Sequence, residues 1–209
     1  MTPRLSILIP VWNQEDLVIR ALDHIPRRDD IEVIVRDDGS TDKTLPALLQ
    51  YEREHPELHL TVYGNGKNMG GAWTCNRLIE SASGEWLHLH DSDDYVLTEP
   101  YNRMVTEWLA AYDKWDIITM DMEINSLARL PVNENTQRGI CAQIARFIRK
   151  SFLADIRYRE GLKWAYDMHF NNEMLERNPR ITFSGVMAYH YNFPRDGSLT
   201  DLHHKGLLQ

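Results

Sequence analysis

Apolar residues in the first ninety positions fall into short runs that alternate with segments of helical spacing. Leu5-Ser-Ile-Leu-Ile-Pro-Val reads as a buried strand, rich in aliphatic and β-branched residues. Gln14 to His24 places Leu17, Val18, Ala21 and Leu22 at helical spacing and is ended by Pro26. Ile31 to Val35 is a second buried strand, stopped by Asp37-Asp38-Gly39-Ser40. Thr41 or Asp42 can then cap a helix from about Lys43 to Glu54. Leu58 to Tyr63 gives a third strand and Gly64 to Gly71 a loop with four glycines. A helix over Ala72 to Ser81 leads to a fourth strand, Trp86 to His90.

This alternation predicts an α/β fold, a mostly parallel sheet covered by helices on both faces. Ligands of such sheets bind beyond the carboxyl ends of the strands. Three of those ends carry unusual polar groups: Trp12-Asn13, Asp37-Asp38 and Asp91-Ser92-Asp93. The second half is less regular. Pro100 to Ala111 is expected to be helical, with Met104, Val105, Trp108 and Leu109 as its apolar stripe, and Asp116 to Ile124 to be a strand. Asn125 to Arg138 is polar and contains Pro131, as a long loop would. Ile140 to Leu153 has the pattern of an amphipathic helix with Arg146, Arg149 and Lys150 on its polar side. Trp164 to Arg177 is a further helix candidate and Ile181 to Tyr191 a late strand.

Composition narrows the class. The chain has 209 residues, 43% of them hydrophobic and 26% charged, which is ordinary for a globular protein of one large domain or two merged halves. Two cysteines, Cys75 and Cys141, give no disulfide framework, so a cytoplasmic compartment is expected. No apolar run is long enough to be a transmembrane segment. The basic stripe of Ile140 to Leu153 leaves peripheral contact with a membrane surface open, although core packing is the default. A net charge of -8 gives no support to nucleic acid as a partner or acceptor.

The stretch Leu87 to Asp94, LHLHDSDD, ends a buried strand in clustered carboxylates. Like charges at close range raise each other's pKa, so such a cluster calls for a cation. Asp-x-Asp offers hard oxygen ligands suited to Mg²⁺ or Mn²⁺, whose shells are completed by water and substrate phosphates. An Asp-rich turn with helix caps is the alternative for the stretch taken alone.

The series SILIPVWNQED, VIVRDDGSTDKT, NGKNMGGAWTCNRLIESASGEWLHLHDSDD and YHYNFPRDGSLT closely resembles the family 2 glycosyltransferases with the GT-A fold, in order and over roughly residues 5 to 200. That resemblance implies a single GT-A domain over 1–209, a Rossmann-like α/β/α sandwich. Residues 1–95 would bind a nucleoside diphosphate sugar donor, and 96–209 would be a smaller acceptor-side extension. Pro10, Val11, Trp12 and Asn13 match the first-strand motif that lines the nucleotide base, and Glu15 the acidic residue that follows. Asp38 matches the aspartate that reads the base edge of a uracil-type nucleotide, with Asp37 near the ribose; a helix-capping turn is its structural alternative. Gly70 and Asn76 match N-x-G-x-x-x-x-x-N. Cys75 stands where an arginine is common, so Lys67 or Arg77 is left to supply that charge.

By the same resemblance Asp91, Ser92 and Asp93 form the D-x-D segment, with Asp93 a direct ligand of Mn²⁺ or Mg²⁺ and Asp94 a cap or supporting partner for the helix after it. His88 and His90 read as satisfied core or surface histidines, with a place near the site open for His90. In the family the general base lies in a Glu-Asp pair that opens a helix. Here Tyr166-Asp167 stands in that place, which makes Asp167 the candidate catalytic base, ahead of Glu160 and Glu173. The late block resembles Y-Y-Y-R-x-x-x-x-S-x-T, with Asn192 in place of the arginine and Arg195 three residues on to neutralise the diphosphate. His190 is a candidate third metal ligand, and Ser198 and Thr200 are loop-ordering groups. The implied function is an inverting, metal-dependent transfer of a sugar, with a UDP-sugar favoured as donor, to an acceptor hydroxyl of undetermined type. The alternatives are a non-catalytic nucleotide- or sugar-binding module and a nucleotidyltransferase.

Overall fold

The computed structural model describes residues 3–111, 113–125, 128–136, 144–162 and 165–193. Its first half follows the alternation of the sequence. The strands are β1 (Leu5–Val11), β2 (Ile31–Asp37), β3 (Leu60–Gly64) and β4 (Trp86–Leu89). The helices α1 (Glu15–His24), α2 (Thr44–Glu54) and α3 (Gly71–Ser81) connect them. All pairings among these strands are parallel, from Leu5↔Ile31 to Val11↔Asp37 between β1 and β2 and from Leu5↔Trp86 to Leu8↔Leu89 between β1 and β4.

The second half adds β5 (Tyr95–Val96), α4 (Thr98–Glu107), β6 (Ile117–Ile124), β7 (Ala128–Leu130), β8 (Arg146–Arg149), a short α5 (Lys150–Leu153), α6 (Tyr166–Glu176) and β9 (Ile181–Tyr191). The sheet runs β3-β2-β1-β4-β8-β6-β9-β5, with β7 on the side of β6. β8 is antiparallel to both β4 and β6, and β9 is parallel to β6. Six of the nine strands (β1 to β4, β6 and β9) therefore point the same way.

Successive strand residues face opposite sides of a sheet, and this divides the core. Ile7, Ile9, Val33 and Val35 pack with Val18 and Leu22 of α1, Leu48 of α2, and Tyr101, Met104 and Val105 of α4. Leu8, Ile34, Leu87 and Leu89 pack on the other face with Ala72, Leu78 and Ile79 of α3 and Phe170 and Met174 of α6. The result is the expected α/β/α sandwich.

Two expectations are corrected. The amphipathic helix over Ile140 to Leu153 is not formed at 146–149, which is strand β8; residues 137–143 lie outside those described. β8 is inserted between β4 and β6 and buried on both faces, so its arginines are not a solvated stripe. Arg146 is fully buried and bonds Asn171 of α6. Arg149 donates to the Trp115 carbonyl at 2.6 Å and lies over the Trp86 ring at 5.0 Å, and Lys150 donates to the Ala82 carbonyl. The loop over Asn125 to Arg138 is also interrupted. β7 forms a hairpin with β6, because buried Asp121 draws Arg129 back onto it and accepts from the Val132 amide at 3.0 Å.

Candidate active site

The carboxyl ends of β1 and β2 make the first wall. The Asp38 amide donates to the Val11 carbonyl at 2.8 Å, so Val11 contributes backbone while its side chain belongs to the core. Pro10 sits just before it, half-buried. Asn13 takes a left-handed backbone (φ 52) in which its side-chain oxygen accepts from the Thr41 amide at 2.8 Å and its amide donates to Ser40 Oγ at 2.8 Å. That turn leaves Trp12 projecting, 48% exposed. Glu15 opens α1, and Asp42 rather than Asp38 accepts from the Thr44 amide at the start of α2.

Asp37 and Asp38 are both buried. One oxygen of Asp37 accepts from the amides of Gly39 (3.1 Å) and Ser40 (3.0 Å). Asp38 reaches across to the glycine-rich loop and accepts from Asn65 Nδ2 (2.8 Å), the Met69 amide (2.8 Å) and the Gly70 amide (2.9 Å). Gly39 lies against this loop at φ +72; a Cβ there would overlap the backbone of Lys67 and lie 2.5 Å from the Asn68 nitrogen. Lys67 itself is exposed. Gly70, at φ +92, precedes the first turn of α3. Asn65 and Gly39 thus shape the site. Motif matching missed Asn65, although its position one residue after a strand end marks it.

The end of β4 carries the charge. One ligand oxygen each from Asp91, Asp93 and Asp94 lies within 4.8 Å of the others, and these three are the only such group among the described residues. Burial, then the charges of Asp93 and Asp167, holds the Asp91 carboxyl well above the usual carboxylate range. Asp94 is raised too, by burial and then by Asp91 and Asp93. Its oxygens are both engaged, accepting from the Tyr189 hydroxyl (2.8 Å) and the Asn192 amide (2.8 Å). Asp94 is followed by β5, so it supports the cluster by tying it to β9 and is not a helix cap. Ser92 Oγ donates to Gln14 Oε1 at 2.6 Å, and the Asp93 carbonyl accepts from Arg20 at 2.7 Å and Asn192 Nδ2 at 3.2 Å. Three converging carboxylates at one strand end are a donor set of the kind that suits a hard divalent cation.

His190 is not in that group. It lies on the opposite side of β9 from Tyr189, its Nδ1 2.9 Å from Glu123 Oε1 and its ring stacked on Tyr95 at 4.1 Å. His88 and His90 are fully buried, which places both in the core; both ring nitrogens of His88 are engaged, whereas Nε2 of His90 has no hydrogen-bond partner among the described residues. Arg195, Ser198 and Thr200 lie outside the described residues.

The second wall is α6. Asp167 falls in its first turn, half-buried, near enough to Asp91 to raise it. Asn76 is buried and acts through the chain: its oxygen accepts from the Tyr158 amide (2.8 Å), and its Nδ2 donates to the Tyr158 carbonyl (3.0 Å) and to Glu160 (3.0 Å). Glu160 is thereby part of a clamp between α3 and 158–160, also 3.8 Å from Arg77. Cys75 is buried below, its thiol pushed up by burial and then by Asp91, Asp38 and Asp167.

A mixed sheet of this order, with polar groups gathered at the carboxyl ends of its parallel strands, is the GT-A fold. TarS 1–349 of Staphylococcus aureus, in complex with UDP-GlcNAc, matches it with TM-score 0.78 at 22% identity, over 94% of this chain and 60% of that one. The mannosyltransferase PcManGT from Pyrobaculum calidifontis, in complex with GDP-Man and Mn²⁺, matches with TM-score 0.72 at 22% identity, over 94% and 59%. Residues 6–157, well over half of the chain, match glycosyl transferase family 2, and the chain belongs to that family. Among curated relatives, the uncharacterized glycosyltransferase EpsJ of Bacillus subtilis is 25% identical over 232 residues, 98% of this chain and 65% of EpsJ. The chain spans less than two thirds of the length of each of these relatives.

Proposed function

We propose that this chain is an inverting glycosyltransferase that moves a sugar from a UDP-sugar to an acceptor hydroxyl, with Asp167 as general base. The observation that carries the proposal is the cluster of Asp91, Asp93 and Asp94 at the end of β4, with Asp167 in the first turn of α6 close enough to act on Asp91. A base facing a charged leaving-group site is what inversion requires. Asp167 takes the acceptor proton while the acceptor oxygen attacks the anomeric carbon, and the opposite bond breaks with its electron pair going to the diphosphate. Mn²⁺ or Mg²⁺ held by Asp91 and Asp93 would offset the negative charge that grows on that diphosphate. Trp12 offers its exposed ring face to the base. Asp38 orders the loop that closes over the nucleotide and keeps acceptor capacity toward a ring N–H. UDP is favoured because TarS, a structural neighbour, binds UDP-GlcNAc; GDP-Man bound to PcManGT makes guanosine the competitor. A single domain over 1–209, built from donor half 1–95 and acceptor half 96–209, fits the continuous sheet. Among the described residues no helix is long and apolar enough to cross a membrane.

The test is nucleoside diphosphate release, in Mn²⁺, from a panel of UDP- and GDP-sugars with and without candidate acceptors. Acceptor-dependent release from a UDP-sugar is expected, and Asp167→Asn should lower it by about 10² or more while nucleotide binding persists. Binding without release in every combination would identify a binding module instead. Near wild-type transfer by Asp167→Asn removes Asp167 as the base.

A further inference from the structure

The helix that carries Asp167 begins in an unusual way. Ala165, the residue before it, sits in the left-handed region (φ 57, ψ 17), where only glycine is at ease, and no side chain caps the helix. A start of this kind is fixed only if neighbouring contacts over-determine it. The contact present is at Tyr166, the first helical residue. Its phenol lies in a notch that exists because residue 71 of α3 has no side chain: a Cβ on Gly71 would overlap the Tyr166 hydroxyl and lie 2.9 Å from Cζ and 3.5 Å from Cε1.

The rest of the notch is rigid. The Tyr158 ring meets Tyr166 edge-on, with centroids 5.8 Å apart, and stacks on Phe170 at 4.0 Å and 5°. Phe170 is one turn along α6 from Tyr166, on the same face. Tyr158 is in turn held at both backbone groups by Asn76 of α3. Cys75, one turn along α3 from Gly71, belongs to the same buried cluster, against which Tyr166 packs. The first turns of α3 and α6 are thus locked together at one point, next to Asp167.

We propose that Tyr166 is a positioning residue: by seating its phenol over Gly71 it fixes the first turn of α6 and so sets where the Asp167 carboxylate stands relative to Asp91. The proposal rests on the function proposed above, in which Asp167 is the base. It requires the ring in the notch and not the chemistry of the hydroxyl.

The experiment is a cycle of Gly71→Ala, Tyr166→Leu and the double variant, with Tyr166→Phe beside it. In the native background Gly71→Ala should lower kcat at least tenfold with KM for the donor nearly unchanged, because the added methyl unseats the phenol. Placed on Tyr166→Leu, which has already emptied the notch, Gly71→Ala should cost nothing further. Tyr166→Phe should keep most of kcat and an unaltered pH profile. An equal Gly71→Ala effect in both backgrounds, or a Tyr166→Phe loss as large as that of Tyr166→Leu, overturns the proposal. Thermal unfolding of the four proteins reads the same coupling without turnover: Gly71→Ala should lower Tm in the native background and not in Tyr166→Leu. An absence of turnover in the unaltered protein would count against the proposed function, whereas additive Tm changes would count against the notch.

Discussion

The Tyr189 hydroxyl donates to Asp94 at 2.8 Å while accepting from the Asp91 amide at 3.3 Å, so one buried phenol joins β9 to two members of the acidic cluster. The other oxygen of Asp94 accepts from the Asn192 amide at 2.8 Å. Tyr189→Phe leaves a buried carboxyl oxygen without its donor, and leaving a buried polar group unsatisfied costs about 1–3 kcal/mol. Urea unfolding should show a loss of about 2 kcal/mol, within that range. A loss no larger than that of an exposed Tyr→Phe control would show that the phenol does not support the cluster.

Metal binding and metal-free stability should move in opposite directions at Asp93. Without a cation the cluster repels itself, so Asp93→Asn should raise the Tm of the metal-free protein. With Mn²⁺ at 100 times its Kd the native protein should gain about 2.7 kcal/mol, roughly 5–10 °C for a chain of this size. Asp93→Asn should lose that gain. A Mn²⁺ shift that survives in Asp93→Asn places the ion elsewhere.

Gly39 is the residue against which the 65–70 loop packs, the loop proposed to cover the nucleotide. Its φ of +72 and the backbone of Lys67 in its Cβ position make Gly39→Ala incompatible with the docked loop. Strain of this kind costs about 1–3 kcal/mol and is relieved by displacing the loop from Asp38. UDP affinity, measured by calorimetry, should fall at least tenfold, with a smaller change in Tm. Unchanged affinity would mean that the 65–70 loop does not contact the nucleotide.

The sequence was most informative where burial was two-sided and connections were short. Leu5 to Leu89 alternates strand and helix because β1, β2 and β3 are each followed after a short connection by a helix that packs on the sheet, and local periodicity carries that information. β8 was illegible for the opposite reason. Its four residues include two arginines, and what makes them a strand is pairing with β4 and β6, segments distant in the chain. In the site, D-x-D and the Asp37-Asp38 pair could be read because strand-end charge is rare. The uses of Asn65, Gly39 and Tyr166 could not, because each depends on a neighbour more than twenty residues away. Asn76 was legible as a motif position, but its partner Tyr158 was not.

Asn76 separates a structural amide from one that contacts ligand. Asn76→Ala leaves the Tyr158 amide and carbonyl buried without partners, at about 2–4 kcal/mol in unfolding free energy. Asn76→Asp should be at least as damaging, since it keeps the acceptor for the Tyr158 amide but turns an oxygen toward the Tyr158 carbonyl. Denaturant midpoints test the order. An Asn76→Asp protein more stable than Asn76→Ala would show that the amide donor is dispensable.

Acid sensitivity should trace to His88, which sits between two partners that fix one neutral tautomer. The Ile144 carbonyl, 2.6 Å from Nε2, can only accept, so Nε2 carries the proton and Nδ1 accepts from the Tyr101 hydroxyl at 2.6 Å. Burial, and then the neighbouring His90, pushes the imidazole down to about 3 from 6.5. Between these values the unfolded chain binds a proton that the folded protein refuses. The contribution of neutral His88 is therefore intact above pH 6.5 and shrinks as the pH falls toward 3, by about 1.4 kcal/mol per unit. Carboxylates titrate in the same window, so the quantity to measure is the difference between the native protein and His88→Gln. Unfolding free energies at pH 7, 6 and 5 should converge as the pH drops, because the variant has no imidazole to charge on unfolding. Parallel curves would mean that His88 ionises in the folded state much as it does in the open chain. An NMR titration of the native protein checks the same point directly, with the His88 ring expected to stay neutral at pH 5.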